Sequence, residues 1–390
     1  MSSNWCLPSE LTRAVLSLLG EDASTKSVCG SMLVCKAWKV WTRVLSKPEA
    51  ECFIQAIGET VLFENVRIWR ADQLRAVRVR LYQGAYVDDC PVGRMIHGLK
   101  LGGLLEDDGS KPAVNDVTEL VLSIVMLSPC LQQYTMCGWT MNQADFICLS
   151  QSAGASVTYL DVLLRSDADG IFPIINSFRN LKTFILELED GPWVHSRSHP
   201  IQNNCLRRVS WTSYRGDEAM YSFLSQCSFG SYCVFSLNFA YATPSISLIN
   251  PMFSTNLFSE LTLSMPTECL AMLSSEVLQA PKLVFDSCPP PASLLNYPSL
   301  PREVVISNVN DYDEAAEDKF WLELTTLTES KRRYENTTSL KICHTRSPDE
   351  VDTHKKFMTR LLPLATVLSM RGLVVVDEQE RKISPPLNRT

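Results

Sequence analysis

The stretches SVTYLDVLL (156–164), NLKTFILEL (180–188), CLRRVSWTS (205–213), SYCVFSLNF (231–239) and LFSELTLSM (257–265) share one spacing. An apolar residue is followed by two others, a second apolar residue, one more residue, and a third apolar one. The series starts at Leu131-Tyr134-Met136. It continues through Val157-Leu160-Val162, Leu181-Phe184-Leu186, Leu206-Val209-Trp211 and Tyr232-Phe235-Leu237 to Phe258-Leu261-Leu263. Successive starts lie 26, 24, 25, 26 and 26 positions apart, and such self-similarity governs every more local reading. Apolar residues at alternate positions predict a short strand with one buried face.

Looser copies follow at Ala280-Leu283-Phe285, Pro301-Val304-Ile306, Thr337-Leu340-Ile342 and Met370-Leu373-Val375. Earlier ones stand at Phe63-Val66-Ile68, Ile96-Leu99-Leu101 and Val117-Leu120-Leu122. Val117 precedes Leu131 by only 14 residues, too few for a strand and a helix, so one of those two figures is not a repeat strand. Residues 171–178, 218–227, 268–278, 315–327 and 354–368 show helical periodicity between the strands. A strand and a helix in alternation require parallel pairing through right-handed crossovers.

Stacked in line, these units resemble a leucine-rich-repeat solenoid, whose period is about 20 to 29 residues. The Asn or Cys that usually follows the strand is mostly missing, and Phe, Tyr, Trp and Val often replace Leu. The expected fold class is therefore α/β: a right-handed, leucine-rich-repeat-like solenoid with a parallel sheet over residues 60–383, after an N-terminal three-helix module. The tail 384–390 is expected to be disordered.

That N-terminal module occupies residues 5–47. Leu7-Pro8-Ser9-Glu10-Leu11 opens a helix, with Pro8 in the first turn, where a missing N–H costs nothing. Leu7, Leu11, Val15, Leu18 and Leu19 recur at helical steps until Gly20. A second short helix carries Val28, Met32 and Leu33. The third places Cys35, Trp38, Trp41 and Leu45 on one side and Lys36, Lys39, Arg43 and Lys47 on the other. Three such helices leave apolar surface exposed unless something packs against them.

The Leu7-Pro8 start, the spaced apolar helix and the Val34-Cys35-x-x-Trp38 element together closely resemble an F-box. The polar stretch at 23–27 departs from that pattern. The resemblance implies docking on the Skp-type adaptor of a cullin-RING ubiquitin ligase. Leu7, Pro8, Leu11, Val15, Leu18, Leu19, Val34, Cys35 and Trp38 then divide between core and adaptor contact, and the sequence leaves open which does which. The basic edge Lys36, Lys39 and Arg43 would complement an acidic adaptor. The whole chain is similar to fungal-type F-box proteins with irregular leucine-rich repeats, which implies a non-catalytic substrate receptor. The alternative is a repeat scaffold outside any ligase, with the helices as a cap.

If the apolar figure points inward, the intervening residues form an open face: Asp161, Leu163 and Arg165; Ile185, Glu187 and Glu189; Arg207, Arg208 and Ser210; Ser236 and Asn238; Thr262 and Ser264. Its substrate contacts cannot be read from the pattern, and Arg207, Arg208 and Tyr214 are the candidates. Trp211 is assigned to the core ahead of the surface, whereas Tyr214 and Tyr241 are possible aromatic anchors.

Composition excludes several functions. The 390 residues are 45% hydrophobic with a net charge of -7, too apolar for a disordered chain and too acidic for a sequence-independent grip on nucleic acid. Fourteen cysteines scattered among core-type residues read as free thiols in a reducing compartment, and no apolar run is long enough to span a membrane. The expected location is cytoplasmic or nuclear, and the Asn336-Thr337-Thr338 sequon is read as incidental. His195, His199 and Cys205 do not complete a zinc set, Asp167 and Asp169 lack the rest of a calcium loop, and Gly102-Gly103 precedes no Lys-Ser or Lys-Thr. No metal, cofactor or catalytic constellation is expected.

Overall fold

The computed structural model describes residues 65–82, 86–87, 90–105, 114–141, 143–164, 171–188, 200–286, 290–295, 299–307, 314–330, 333–334, 338–343, 351–377 and 379–383. The three-helix module predicted at 5–47, with all nine of its proposed adaptor-contacting residues, lies outside the described residues. So do Arg165, Asp167, Asp169, Glu189, His195, His199, Asn336 and the tail 384–390.

Among the described residues, twelve strands stand in one large, parallel sheet in the order in which the chain makes them. They are β1 (Asn65–Arg70), β2 (Gly98–Leu105), β3 (Gln133–Met141), β4 (Tyr159–Leu164), β5 (Thr183–Leu188) and β6 (Arg208–Arg215). Then follow β7 (Cys233–Tyr241), β8 (Phe258–Ser264), β9 (Lys282–Asp286), β10 (Glu303–Ser307), β11 (Thr338–Ile342) and β12 (Leu373–Val376). The second and third residues of every repeat figure proposed from sequence fall in a strand except in Val117-Leu120-Leu122; Phe63 and Thr337, which open two of the figures, lie outside the described residues. Val117, Leu120 and Leu122 lie in helix α2 (Val114–Met126), which resolves the crowding before Leu131. No helix among the described residues is long and apolar enough to cross a membrane.

The chain divides into two compact units, Met1–Val162 and Leu163–Thr390. In the first, β1 and β2 pair Val66 with Leu99 and Ile68 with Leu101, and β2 continues the rows onto Tyr134 and Met136 of β3. All six side chains are buried. Helices α1 (Ala71–Tyr82), α2 and α3 (Gln143–Ala153) pack in sequence order, α1 on α2 and α2 on α3.

In the second unit the alternation of buried and half-buried positions follows the two-residue period of a strand. Phe184, Val209, Phe235, Leu261, Leu283, Val304, Leu340 and Val375 form one buried lateral row. Leu186, Trp211, Leu237, Leu263, Phe285, Ile306 and Ile342 form the next. The outer segments are short in the early repeats: α4 (Ile171–Ile175), α5 (Glu218–Ser225) and α6 (Asn250–Thr255). They lengthen to α7 (Glu314–Glu329) and α8 (Val351–Met370) at the end. Asp217 caps α5 by accepting the Met220 N–H at 2.9 Å, and the helix buries Met220, Tyr221, Phe223 and Leu224.

Three local expectations are corrected. Residues 268–278 form no continuous helix but a turn, Thr267–Leu270, and a 3-10 segment, Ser275–Gln279. Asn250 of the preceding repeat takes the Ser274 N–H at 2.8 Å, a bond that a continuing helix would have claimed. Tyr232, expected inside, is 69% exposed at φ 60, and the thiol of Cys233 is buried in its place. Met370, also expected inside, is 78% exposed at the end of α8, beside Gly372 at φ 96.

Repeats approach closely at Gly230, where a Cβ would stand 2.3 Å from the Leu206 carbonyl oxygen and 2.6 Å from that of Asn204. Backbone atoms cannot give way as a flexible side chain can. Gly230→Ala is therefore expected to cost about 1–3 kcal/mol by overpacking, measured as a lower urea midpoint at unchanged slope; an unchanged midpoint would contradict this contact.

Candidate functional site

With one face of the sheet in the second unit closed by outer segments, the register sorts the opposite face into rows. Ile185, Ser210, Ser236 and Thr262 stand side by side, and Glu187, Thr212, Asn238 and Ser264 form the parallel row two residues on. Neighbours in such a row are about 4.8 Å apart. All but the exposed Glu187 are half-buried. The sequence placed seven of these eight on one face, and the register brings them together; Thr212 was missed.

Beyond Thr262 the surface changes. Val284 and Val305 continue the first row as buried aliphatics, 9% and 7% exposed. Asp286 and Ser307 pair one residue beyond Phe285 and Ile306, and the Ser307 hydroxyl donates to Asp286 Oδ1 at 2.7 Å. Glu260, Lys282 and Glu303 form a charged row beside them, with Lys282 Nζ 3.1 Å from Glu260 Oε2. The face thus grades from hydroxyl and amide groups to aliphatics edged by charge.

The three candidate contacts separate. Arg208 and Tyr214 lie on the open face of β6 at opposite ends, both exposed, six residues or about 20 Å apart. Arg207 precedes the strand, and its Nη1 donates to the Ser231 carbonyl at 2.7 Å, linking one repeat to the next at the amino edge. Tyr241 is 73% exposed and in register with Arg215 at the carboxyl edge. Trp211 is fully buried, its ring 5.8 Å from that of Phe172 and 5.9 Å from that of Phe223. In the first unit, Tyr159 donates to Asp161 Oδ2 at 3.4 Å.

What the sequence reading missed is a set of asparagine bridges that hold this face in register. Asn176 donates to the Pro200 carbonyl and accepts from the Gln202 N–H. Asn203 donates back to the Phe178 carbonyl at 3.1 Å and accepts from the Cys205 N–H. Asn250 spans to Met272 and Ser274, and Asn256 to Cys227 and Phe229. The repeat asparagine sought after each strand stands instead in the segment before the next one.

The cysteines nearby differ sharply. Burial pushes the thiols of Cys227 and Cys233 up to about 12, whereas Cys205 is exposed. Alkylation with iodoacetamide at pH 8 is expected to label Cys205 and to spare Cys227 and Cys233 until the protein is unfolded. Peptide mass spectrometry reads this directly, and early labelling of Cys227 would refute it.

No protein-family model and no curated protein matches the chain.

Proposed function

We propose that this chain is a protein-binding receptor that serves as the substrate-recognition subunit of a cullin-RING ubiquitin ligase. Residues 5–47 dock the Skp-type adaptor as an F-box, and the open face of the sheet holds the protein substrate. On this reading the sheet belongs to a right-handed leucine-rich-repeat-like solenoid, and ubiquitin transfer is performed by partner subunits in the cytoplasm or nucleus. The receptor contributes proximity, raising the effective concentration of a substrate lysine near the charged enzyme.

The observation that carries the binding role is the pair of lateral rows from Ile185 to Thr262 and from Glu187 to Ser264. Short hydroxyl and amide side chains in fixed register offer donors and acceptors to a bound backbone at little cost in side-chain entropy. Exposed Arg208 and Tyr214 supply the larger groups at either end. The ligase role rests on the Leu7-Pro8 and Val34-Cys35-x-x-Trp38 resemblance.

Purified Skp-type adaptor should retain the full chain and not a Leu7→Ala, Pro8→Ala, Trp38→Ala triple variant. If both bind equally, or neither does, the ligase role is lost and the repeat scaffold remains. Proximity labelling with the triple variant as control then reports partners held by the sheet.

A further inference from the structure

Among the described residues β12 has one neighbour in the sheet, β11, so its other edge would stand bare. A bare edge offers unpaired N–H and C=O groups to any extended chain. This one is covered by the residues that come next in the chain. Val376 bridges Lys382 antiparallel, the Ile383 N–H donates to the Val375 carbonyl at 2.9 Å, and the Asp377 N–H donates to the Arg381 carbonyl at 2.9 Å. Ile383 is 7% exposed and anchors the returning segment.

One carboxylate organises the reversal. Asp377 Oδ1 accepts the N–H groups of Gln379 at 3.0 Å and Arg381 at 2.8 Å, and Oδ2 accepts from Arg381 Nε at 2.7 Å. Lys341 of β11 steadies the turn, its Nζ 3.6 Å from Glu380 Oε1. Glu380 itself stands at φ 61, in the left-handed region that favours glycine. Two backbone bonds, one buried side chain and a turn with a strained residue make a cover that can open.

Register identifies what fits the edge once it is open. The Thr338 N–H donates to the Gly372 carbonyl, so residues 372, 374 and 376 turn their backbone groups toward β11 while Leu373 and Val375 turn theirs away. About a two-fold axis at Val374, two copies of β12 are complementary: each Val375 N–H meets the other's Leu373 carbonyl, and both edges are satisfied together. The strand, LVVV, suits pairing through its branched side chains and carries no charge to oppose it. We infer that residues 377–383 guard the edge of β12, and that opening them frees it to pair antiparallel with β12 of a second copy of this chain. This device uses neither residues 5–47 nor the rows from Ile185 to Ser264, and so stands apart from the ligase reading.

The full chain with Asp377→Ala and Ile383→Pro tests it, since proline has no N–H for the Val375 carbonyl. The amide of residue 377 should exchange with solvent about tenfold faster or more, and light scattering should show a concentration-dependent dimer where wild type is a monomer. Asp377→Asn should shift both readings the same way by less, and Glu380→Gly should slow the exchange. Facing residues of an unbonded antiparallel pair lie about 4.5 Å apart at Cα, within disulfide reach. Val374→Cys added to the opened variant should therefore give a 374-to-374 disulfide under mild oxidation, identified by peptide mass spectrometry, and with the guard intact should not. The proposal is overturned if exchange at residue 377 is unchanged, if the opened variant stays monomeric, if it associates without the 374 disulfide, or if that disulfide forms equally with the guard intact.

Discussion

Trp211→Ala is expected to cost about 3–5 kcal/mol, the range for emptying a large aromatic site in a packed core. The indole has no exposed surface and stacks on Phe172 of α4 at an interplanar angle of 18°, while Phe223 of α5 closes it from the next repeat. Its lateral neighbours are Leu186 and Leu237 in register on either side. Helical segments of two repeats and three strands therefore border the space that the ring would leave. None of them can collapse into it without dragging its own hydrogen-bonded neighbours. Urea unfolding followed by circular dichroism should show the midpoint falling sharply, with Trp211→Phe losing much less. A loss below about 1 kcal/mol would mean that the site relaxes and that the packing is loose.

Asn256→Ala is the second large effect, expected at about 2–4 kcal/mol because several buried backbone groups lose a partner together. The Asn256 Nδ2 donates to the carbonyls of Met252 at 2.9 Å and Cys227 at 3.1 Å, and Oδ1 accepts the Phe229 N–H at 2.8 Å. The residue is only 7% exposed. Asn256→Asp should not rescue it. A carboxylate still accepts from Phe229 but cannot donate to either carbonyl, and it brings a charge into a buried place. Hydrogen exchange supplies the local reading: the Phe229 amide should exchange faster in both variants, and an unchanged rate would dismiss the bridge.

Much of the strand framework was legible in the sequence because period-two burial is written directly into residue type. The figure at Leu206-Val209-Trp211 marks β6, and the neighbouring figures set its register to β5 and β7. Trp211 as core was readable too, since it occupies an inward position of the alternation. The failures arise where one side chain redirects the backbone. Tyr232 matches the pattern, yet its positive φ turns the ring outward, and the alternation carries no signal for that. The single helix predicted at 268–278 failed because Asn250, a repeat away, claims the Ser274 N–H.

For the candidate site, the side of the strand was predictable and the neighbours were not. Ser236 belongs beside Ser210 and Thr262 by repeat arithmetic. Arg207 and Arg208 look equivalent in sequence, but only Arg208 lies on the open face of β6, while Arg207 is bonded to the Ser231 carbonyl.

In the second unit, strands stand in space in the order of their synthesis, from β5 to β12. Each newly made strand therefore finds its partner already in place, with no need to wait for distant sequence to leave the ribosome. Growth from one edge keeps loop closure short and confines the addition of new strands to a single growing edge. A rare-codon pause placed far enough downstream for β6 to have left the ribosome would then hold an assembled edge ending at Val209 and Trp211, ready to receive β7.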